Sequence, residues 1–538
     1  MPYFWCFIGK SCLLKSNWPY YLLHLIALVV LLSFHRYTIS SPDTAHYLFI
    51  SRYYLEGEFW QAVNSHWSPM VSWLLIPILA LRFEPLLAFF LLNAAVSFVA
   101  LWLWLEVLKK ATLPKWLEWV AVLLVIPVLI TGVVVLTPDF LTATLLLVYF
   151  HLVTKQAFGD HLKSGLLAGV TGGFIFLCKS YGLPFFVVHF TAIHFLLFLF
   201  GKRDKQPMPK KGVLGSYLGG MLGFILVITP WVIALSLKFG TFTYSNAGKY
   251  NIVNYGPEGG QHIYYNRLID PDTKYTRYDA FEEPSMFLTD WTPLESTKSL
   301  TYYLKRIGPN LSSLYYLSYL RDIGILVALC LFLFFLYGKA LSRTRLLLLL
   351  QAGLVVAIYT SGYLLLLIKA RYLWIDYLLA TFCLWILVAH LLESGFHKKL
   401  VGFWVVAASI MILVNTQDMF RGYVVYRIYG EKLYNLQQSV AELPLEDKDV
   451  VSNIARNGMT HSAMNNLFRY YSKFRHWGHL VDENLKTEGL KQAYDNNLDY
   501  FFLWNPPEYL DSVFSDVPVV LRDTTVGLTI YDLKSNSQ

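Results

Sequence analysis

The chain has 538 residues, of which 56% are hydrophobic, 17% aromatic and only 15% charged, with a mean hydropathy of +0.45. A soluble domain is about 45–50% apolar and about 25% charged, so this apolar surplus cannot be buried in a water-soluble fold of one or two domains; disordered, collagen-like and disulfide-scaffold classes fail as well, with so many aromatics and only 5 Cys. The excess of 44 basic over 36 acidic residues does not point to nucleic acid, because the basic residues cluster in short loops between apolar runs.

What remains is a polytopic membrane protein, in which each span needs about 20 mostly apolar residues. The first runs roughly from Tyr20 to Tyr37 behind Lys10 and Lys15. No small-residue cleavage site follows it, so it reads as an uncleaved anchor with a cytoplasmic N-terminus. Trp67 to Leu81 is short, contains Pro69 and Pro77 and ends at Arg82, which makes it a surface or partly inserted segment. Ten further runs lie near 85–107, 117–136, 138–153, 165–178, 182–200, 213–237, 321–337, 346–367, 372–392 and 400–416, giving eleven spans. Basic clusters at Lys109-Lys110, Lys155 with Lys163, Lys202 to Lys211, Lys339 to Arg345 and Lys398-Lys399 then fall between alternate spans, on the cytoplasmic side.

This orientation puts several segments on the extracytoplasmic face: loop 40–66, the turns at Thr137-Pro138-Asp139 and Lys179 to Gly182, segment 238–320 and the turn Lys369-Ala370-Arg371. The tail lies there too. Short apolar runs at Val450-Val451, Tyr500 to Trp504, Val519 to Leu521 and Leu528 to Tyr531 alternate with polar helical stretches, predicting a small α/β domain over 417–538 after a membrane domain over 1–416. The fold class is therefore mainly α, a bundle of about eleven transmembrane helices with a C-terminal extracytoplasmic α/β domain. No Walker loop, dinucleotide fingerprint, zinc spacing or internal repeat is present, which argues against an ATP-driven pump.

Charged residues at the outer face are the candidates for chemistry. Asp43, in Ser41-Pro42-Asp43-Thr44, stands just beyond the first span; it reads either as a helix cap or as a general base on a hydroxyl. Asp139, in Thr137-Pro138-Asp139, repeats the pattern with the same two readings. Lys179 and Arg371 run against the charge bias of the outer face and read as phosphate clamps or as side chains reaching for the interface. His66 and Trp67 offer a ring for a sugar, and Tyr250-Asn251 and Gly256 to His262 lie in the long outer segment. Glu258 and His262 are candidate ligands for a divalent cation (Mg, Mn or Zn), although their spacing matches no closed metal motif.

Taken together, Pro42-Asp43 followed by a Tyr-rich helix and Gly57, Trp67-Ser68-Pro69 with Trp73, Pro138-Asp139, Leu177-Cys178-Lys179, Thr229-Pro230-Trp231 and Arg371-Tyr372 resemble the GT-C superfamily of polyprenyl-phosphate-dependent glycosyltransferases. The chain is similar to its bacterial aminoarabinose transferase and protein O-mannosyltransferase branch, over most of residues 1–393. The resemblance implies an inverting transfer of a sugar from undecaprenyl phosphate or a related polyprenyl phosphate to a lipid, glycan or protein acceptor, on the outer face of the cytoplasmic (inner) membrane. It implies Asp43 as the carboxylate that deprotonates or orients the acceptor, Asp139 as support for the acceptor or a metal, and Lys179 and Arg371 as groups near the donor phosphate. Many relatives carry a second acid after the first, where Thr44 stands here, which leaves metal use open. A transporter or flippase of lipid-linked sugars is the rival reading; a non-catalytic scaffold is a third.

Overall fold

The computed structural model describes residues 12–38, 41–203, 206–254, 256, 268–287, 291–337, 340–424, 431–432, 434–436, 440, 443–454, 459–488, 490–505 and 507–535. In chain order the first half folds into α1 (Cys12–His35), α2 (Asp43–Leu55), α3 (Met70–Ala80), α4 (Pro85–Ala111), α5 (Lys115–Val133), α6 (Asp139–Val153), α7 (Leu162–Cys178), α8 (Gly182–Phe200) and α9 (Lys210–Phe239). There follow α10 (Ala247–Asn254), α11 (Thr297–Leu304), α12 (Ile307–Tyr316), α13 (Ser318–Tyr337), α14 (Arg343–Leu365), α15 (Trp374–Glu393) and α16 (Lys398–Val424).

Among the described residues nine helices are long and apolar enough to cross a bilayer: α1, α4, α5, α8, α9 and α13 to α16. The chain is a multi-pass membrane protein. The two other expected spans are α6 and α7, with 15 and 17 residues. At 1.5 Å per residue they reach about 22 and 26 Å against a hydrocarbon core of about 30 Å, and the start of α6 and the end of α7 meet at the candidate site. The stretch with two prolines becomes α3, 11 residues packed against α2, where Ser72 donates to the Tyr47 carbonyl at 2.9 Å.

Two devices fix the frame. Without a hydrophobic drive between helices in lipid, small residues let backbones approach, and α7 meets α9 in this way. A β-carbon on Gly165 would overlap the Ser216 carbonyl, and one on Gly169 would overlap that of Gly220. The second device is the burial of α15, whose Trp374, Tyr377, Phe382 and Trp385 are enclosed by its neighbours.

The C-terminal sheet has strands β1 (Asp449–Ile454), β2 (Arg475–Val481), β3 (Tyr500–Trp504), β4 (Val519–Asp523) and β5 (Leu528–Asp532) in the order β2-β1-β3-β5-β4. The β1 strand pairs in parallel with β2 and β3, and β5 is antiparallel to β3 and β4. Helix α17 (Met459–Ser472) links β1 to β2 and lies on α2. There Arg469 forms a buried ion pair with Asp279 and sits 4.7 Å from the Phe49 ring, Arg52 stacks on Tyr470 at 3.8 Å, and Lys473 pairs with Glu56 at 3.0 Å. The tail thus clamps the helix whose first residue is Asp43.

Candidate active site

Both acids occupy the first turn of their helix, one place after a proline, and neither caps it: Pro42 and Pro138 hold the cap positions without a side-chain bond. The carboxylates turn sideways toward cations. Arg371, in the turn before α15, places Nη2 2.5 Å from Asp43 Oδ2 and Nη1 2.8 Å from Ser41 Oγ. Its Nε lies 3.4 Å from Asp139 Oδ2, which also accepts from Thr137 Oγ1 at 2.7 Å. Lys179, directly after α7, forms an ion pair with Asp139 Oδ1, and its ammonium lies 3.5 Å from the centre of the Tyr372 ring. Four elements distant in sequence therefore converge through one chain of charges, Lys179–Asp139–Arg371–Asp43. Asp139 is 3% exposed and Asp43 29%, so Asp43 is the more accessible of the two acids.

These groups line a cavity of about 1040 Å³. Its wall brings together the described candidates for chemistry and binding: Asp43, Asp139, Lys179, Arg371, His66, Trp67, Tyr250 and Asn251. Glu258 and His262 lie outside the described residues. The wall carries five basic side chains (Lys179, Lys305, Arg306, Lys369, Arg371) and two acidic ones, so it suits an anion. Burial alone would push the Asp43 carboxyl upward, but Arg371, with Lys369 beyond it, prevails and holds it well below the usual carboxylate range. Burial lowers the Lys179 ammonium, which the Asp139 charge opposes.

Thr44, at the position after Asp43, has a structural role here. Its hydroxyl is buried and donates to the Leu136 carbonyl at 2.8 Å, tying the first outer loop to the turn that carries Asp139. Asn93 holds the same turn through the Val133 and Val135 carbonyls at 3.2 and 3.0 Å. A carboxylate at position 44 would meet a carbonyl oxygen. Nor does the Asp43–Asp139 pair fit a divalent cation as it stands, since both carboxylates already bind cationic side chains and a third, Lys369, lines the same wall. Among the described residues no group of three or more His, Cys, Asp or Glu is placed to hold a metal ion.

The His66-Trp67 wall is strapped from behind by the long outer segment. Glu283 accepts from Ser65 N and Ser65 Oγ, both at 2.6 Å; Lys238 donates to the Val63 carbonyl at 2.6 Å; and Trp67 Nε1 donates to the Phe281 carbonyl at 3.1 Å. Trp67 is buried, with His46 stacked parallel on it at 4.7 Å, and His66 meets the Tyr250 ring edge-on at 4.8 Å. Neutral His66 suits this packing, because burial lowers its pKa to about 4 against the pull of Asp43. Sequence reasoning missed Glu282, Glu283, Lys238, Lys305 and Arg306, which carry no motif. Lys369 shares its turn with Arg371, and its charge on the expected outer face was a usable signal.

The fold is thus a polytopic bundle whose short helices end at a charged cavity, with an α/β tail packed on α2. The chain is similar in fold to ArnT from Cupriavidus metallidurans, both in its crystal structure bound to undecaprenyl phosphate and in its apo state. The TM-score is 0.51 and the identity 12% in each case, over 96% and 97% of this chain and 98% of that one. No family model and no curated protein matches the chain. The likeness is one of fold, and it agrees with the architecture expected from the sequence.

Proposed function

We propose that the protein is an inverting membrane glycosyltransferase that moves a sugar from a polyprenyl-phosphate donor to an acceptor hydroxyl at the extracytoplasmic face of the cytoplasmic membrane. The observation that carries this reading is the convergence of Asp43 and Asp139 with Lys179, Lys369 and Arg371 on one cavity wall, at the ends of membrane helices. A lipid-linked donor gives a transferase a reason to have spans, and the fold is one in which ArnT binds undecaprenyl phosphate.

In this reading the acceptor oxygen attacks the anomeric carbon from the face opposite the phosphate. The bond from that carbon to the phosphate oxygen breaks, and polyprenyl phosphate leaves with the electron pair. Asp43 orients the hydroxyl and takes its proton late, as the new bond forms. Lys179 and Arg371 stay anchored to the acids and lend positive charge to the departing phosphate in a site of low dielectric. Asp139 holds both cations in register.

The test is release of free polyprenyl phosphate from short-chain polyprenyl-phosphate sugars, using detergent-purified wild type and Asp43→Asn with crude envelope acceptor. Turnover by wild type, lost in a variant of equal thermal stability, supports the reading. Equal release by both proteins removes Asp43 from the chemistry. No release with any donor favours a transporter of lipid-linked sugars.

A further inference from the structure

The three cations of the inner wall are not equivalent. Arg371 spends its whole fork on protein oxygens, with Nη1 on Ser41, Nη2 on Asp43 and Nε toward Asp139. Lys179 is committed to Asp139 and to the Tyr372 ring. Lys369 lines the same cavity, half-buried, and makes no side-chain hydrogen bond or ion pair with a described residue. An unpaired cation drawn partly out of water is costly and calls for an anion. Arg371, two residues away, adds repulsion, which Asp43 and Asp139 offset in part.

We infer that Lys369 is the residue that directly grips the phosphate of the lipid-linked substrate, while Lys179 and Arg371 hold the two acids. The assignment rests on the proposed transferase activity and divides the basic residues by role. Lysine suits this role because its ammonium is a compact point charge on a flexible stem, able to follow a phosphate whose charge grows as its bond to the sugar breaks.

The test uses the full chain in neutral-lipid nanodiscs, titrated with a short-chain polyprenyl phosphate and read by intrinsic fluorescence, with the matching polyprenyl alcohol as control. Lys369→Met should weaken phosphate binding about tenfold or more, leave alcohol binding unchanged, and melt without ligand at or above the wild-type temperature. Lys369→Arg should restore most of the affinity. Lys179→Met, which removes a partner of buried Asp139, should melt lower. Binding by Lys369→Met equal to wild type overturns the assignment, and so does a clear loss of stability in the unliganded variant. Equal, Lys369-dependent affinity for inorganic phosphate or an anionic phospholipid overturns the choice of polyprenyl phosphate. If wild type binds no polyprenyl phosphate, the transferase reading falls and this assignment with it; if it binds and only the lysine proves indifferent, the assignment alone falls.

Discussion

Arg371 Nη2 lies 2.5 Å from Asp43 Oδ2, so the more exposed of the two cavity acids is already half of an ion pair. Arg371 outweighs burial and keeps Asp43 ionised throughout the physiological range. The sign follows: with its pKa held low, Asp43 stays charged as pH falls, and kcat/KM should show no acid limb from this group between about pH 5 and 8. Arg371→Gln leaves burial unopposed by its main partner, so an acid limb should move upward into that window as kcat falls about a hundredfold or more. A pH–rate profile of the variant without an acid limb would show that the ion pair does not set the ionisation of Asp43.

Glu282 and Glu283 form a second acidic pair behind the His66-Trp67 wall. Tyr53 donates to Glu282 at 3.0 Å, as do the backbone amides of Arg277 and Tyr278 at 2.9 and 3.1 Å, Ser65 donates to Glu283, and Lys238 faces both. Burial nevertheless pushes each carboxyl up from 4.5 to about 7. Here the folded state binds protons more tightly than the unfolded, so stability should fall as pH rises from about 4.5 to 7 and level off above, by up to about 1.4 kcal/mol per pH unit for each group. Glu283→Gln keeps an acceptor for Ser65 N and removes one titration, which should roughly halve the slope of melting temperature against pH. An unchanged slope would place the pH dependence elsewhere.

The helical membrane architecture was legible because hydropathy encodes it directly. Asp43, Asp139, Lys179 and Arg371 were legible because charge at the ends of apolar runs is conspicuous, but their partnership was not: Asp43 and Arg371 are 328 residues apart, and only the packed bundle makes them neighbours. The tail gave up four of its five strands. β2, Arg475–Val481, stayed hidden because two of its buried positions are polar, His476 and His479, which meet Ser452 Oγ at 3.0 and 2.6 Å. Nothing in the sequence linked that tail to Asp43; the link runs through Arg469, which looks like a surface residue until Asp279 meets it.

The α7–α9 contact gives a prediction with an internal control. Gly169→Leu drives a side chain into the Gly220 carbonyl, a backbone atom that cannot yield, and should cost several kcal/mol or abolish monodisperse expression in detergent. Gly215, on α9 itself, has open space where a β-carbon would stand, with no atom within 4 Å, so Gly215→Leu should elute and melt like wild type. Equal tolerance of both would mean that this close approach does not hold α7, and with it Lys179, in place.

Arg469 and Asp279 are 0% and 2% exposed, so each is a buried charge whose neutralisation depends on the other. Removing one partner should be worse than removing both, because a lone buried charge keeps its desolvation cost without its compensation. Arg469→Met is expected to destabilise by about 3–5 kcal/mol, and Arg469→Met with Asp279→Asn to recover a large part of that loss. His476 Nδ1 lies 3.8 Å from Asp279 Oδ2, and burial together with the Arg469 charge lowers the His476 pKa to about 3. Loss of Arg469 removes that repulsion, so the single variant should regain stability on acidification as His476 takes a proton beside Asp279, whereas the double variant, lacking the carboxylate, should not. Melting curves of the four proteins at two pH values separate these outcomes, and additive single effects would show that Arg469 and Asp279 do not act as a pair in fastening the tail to the long outer segment.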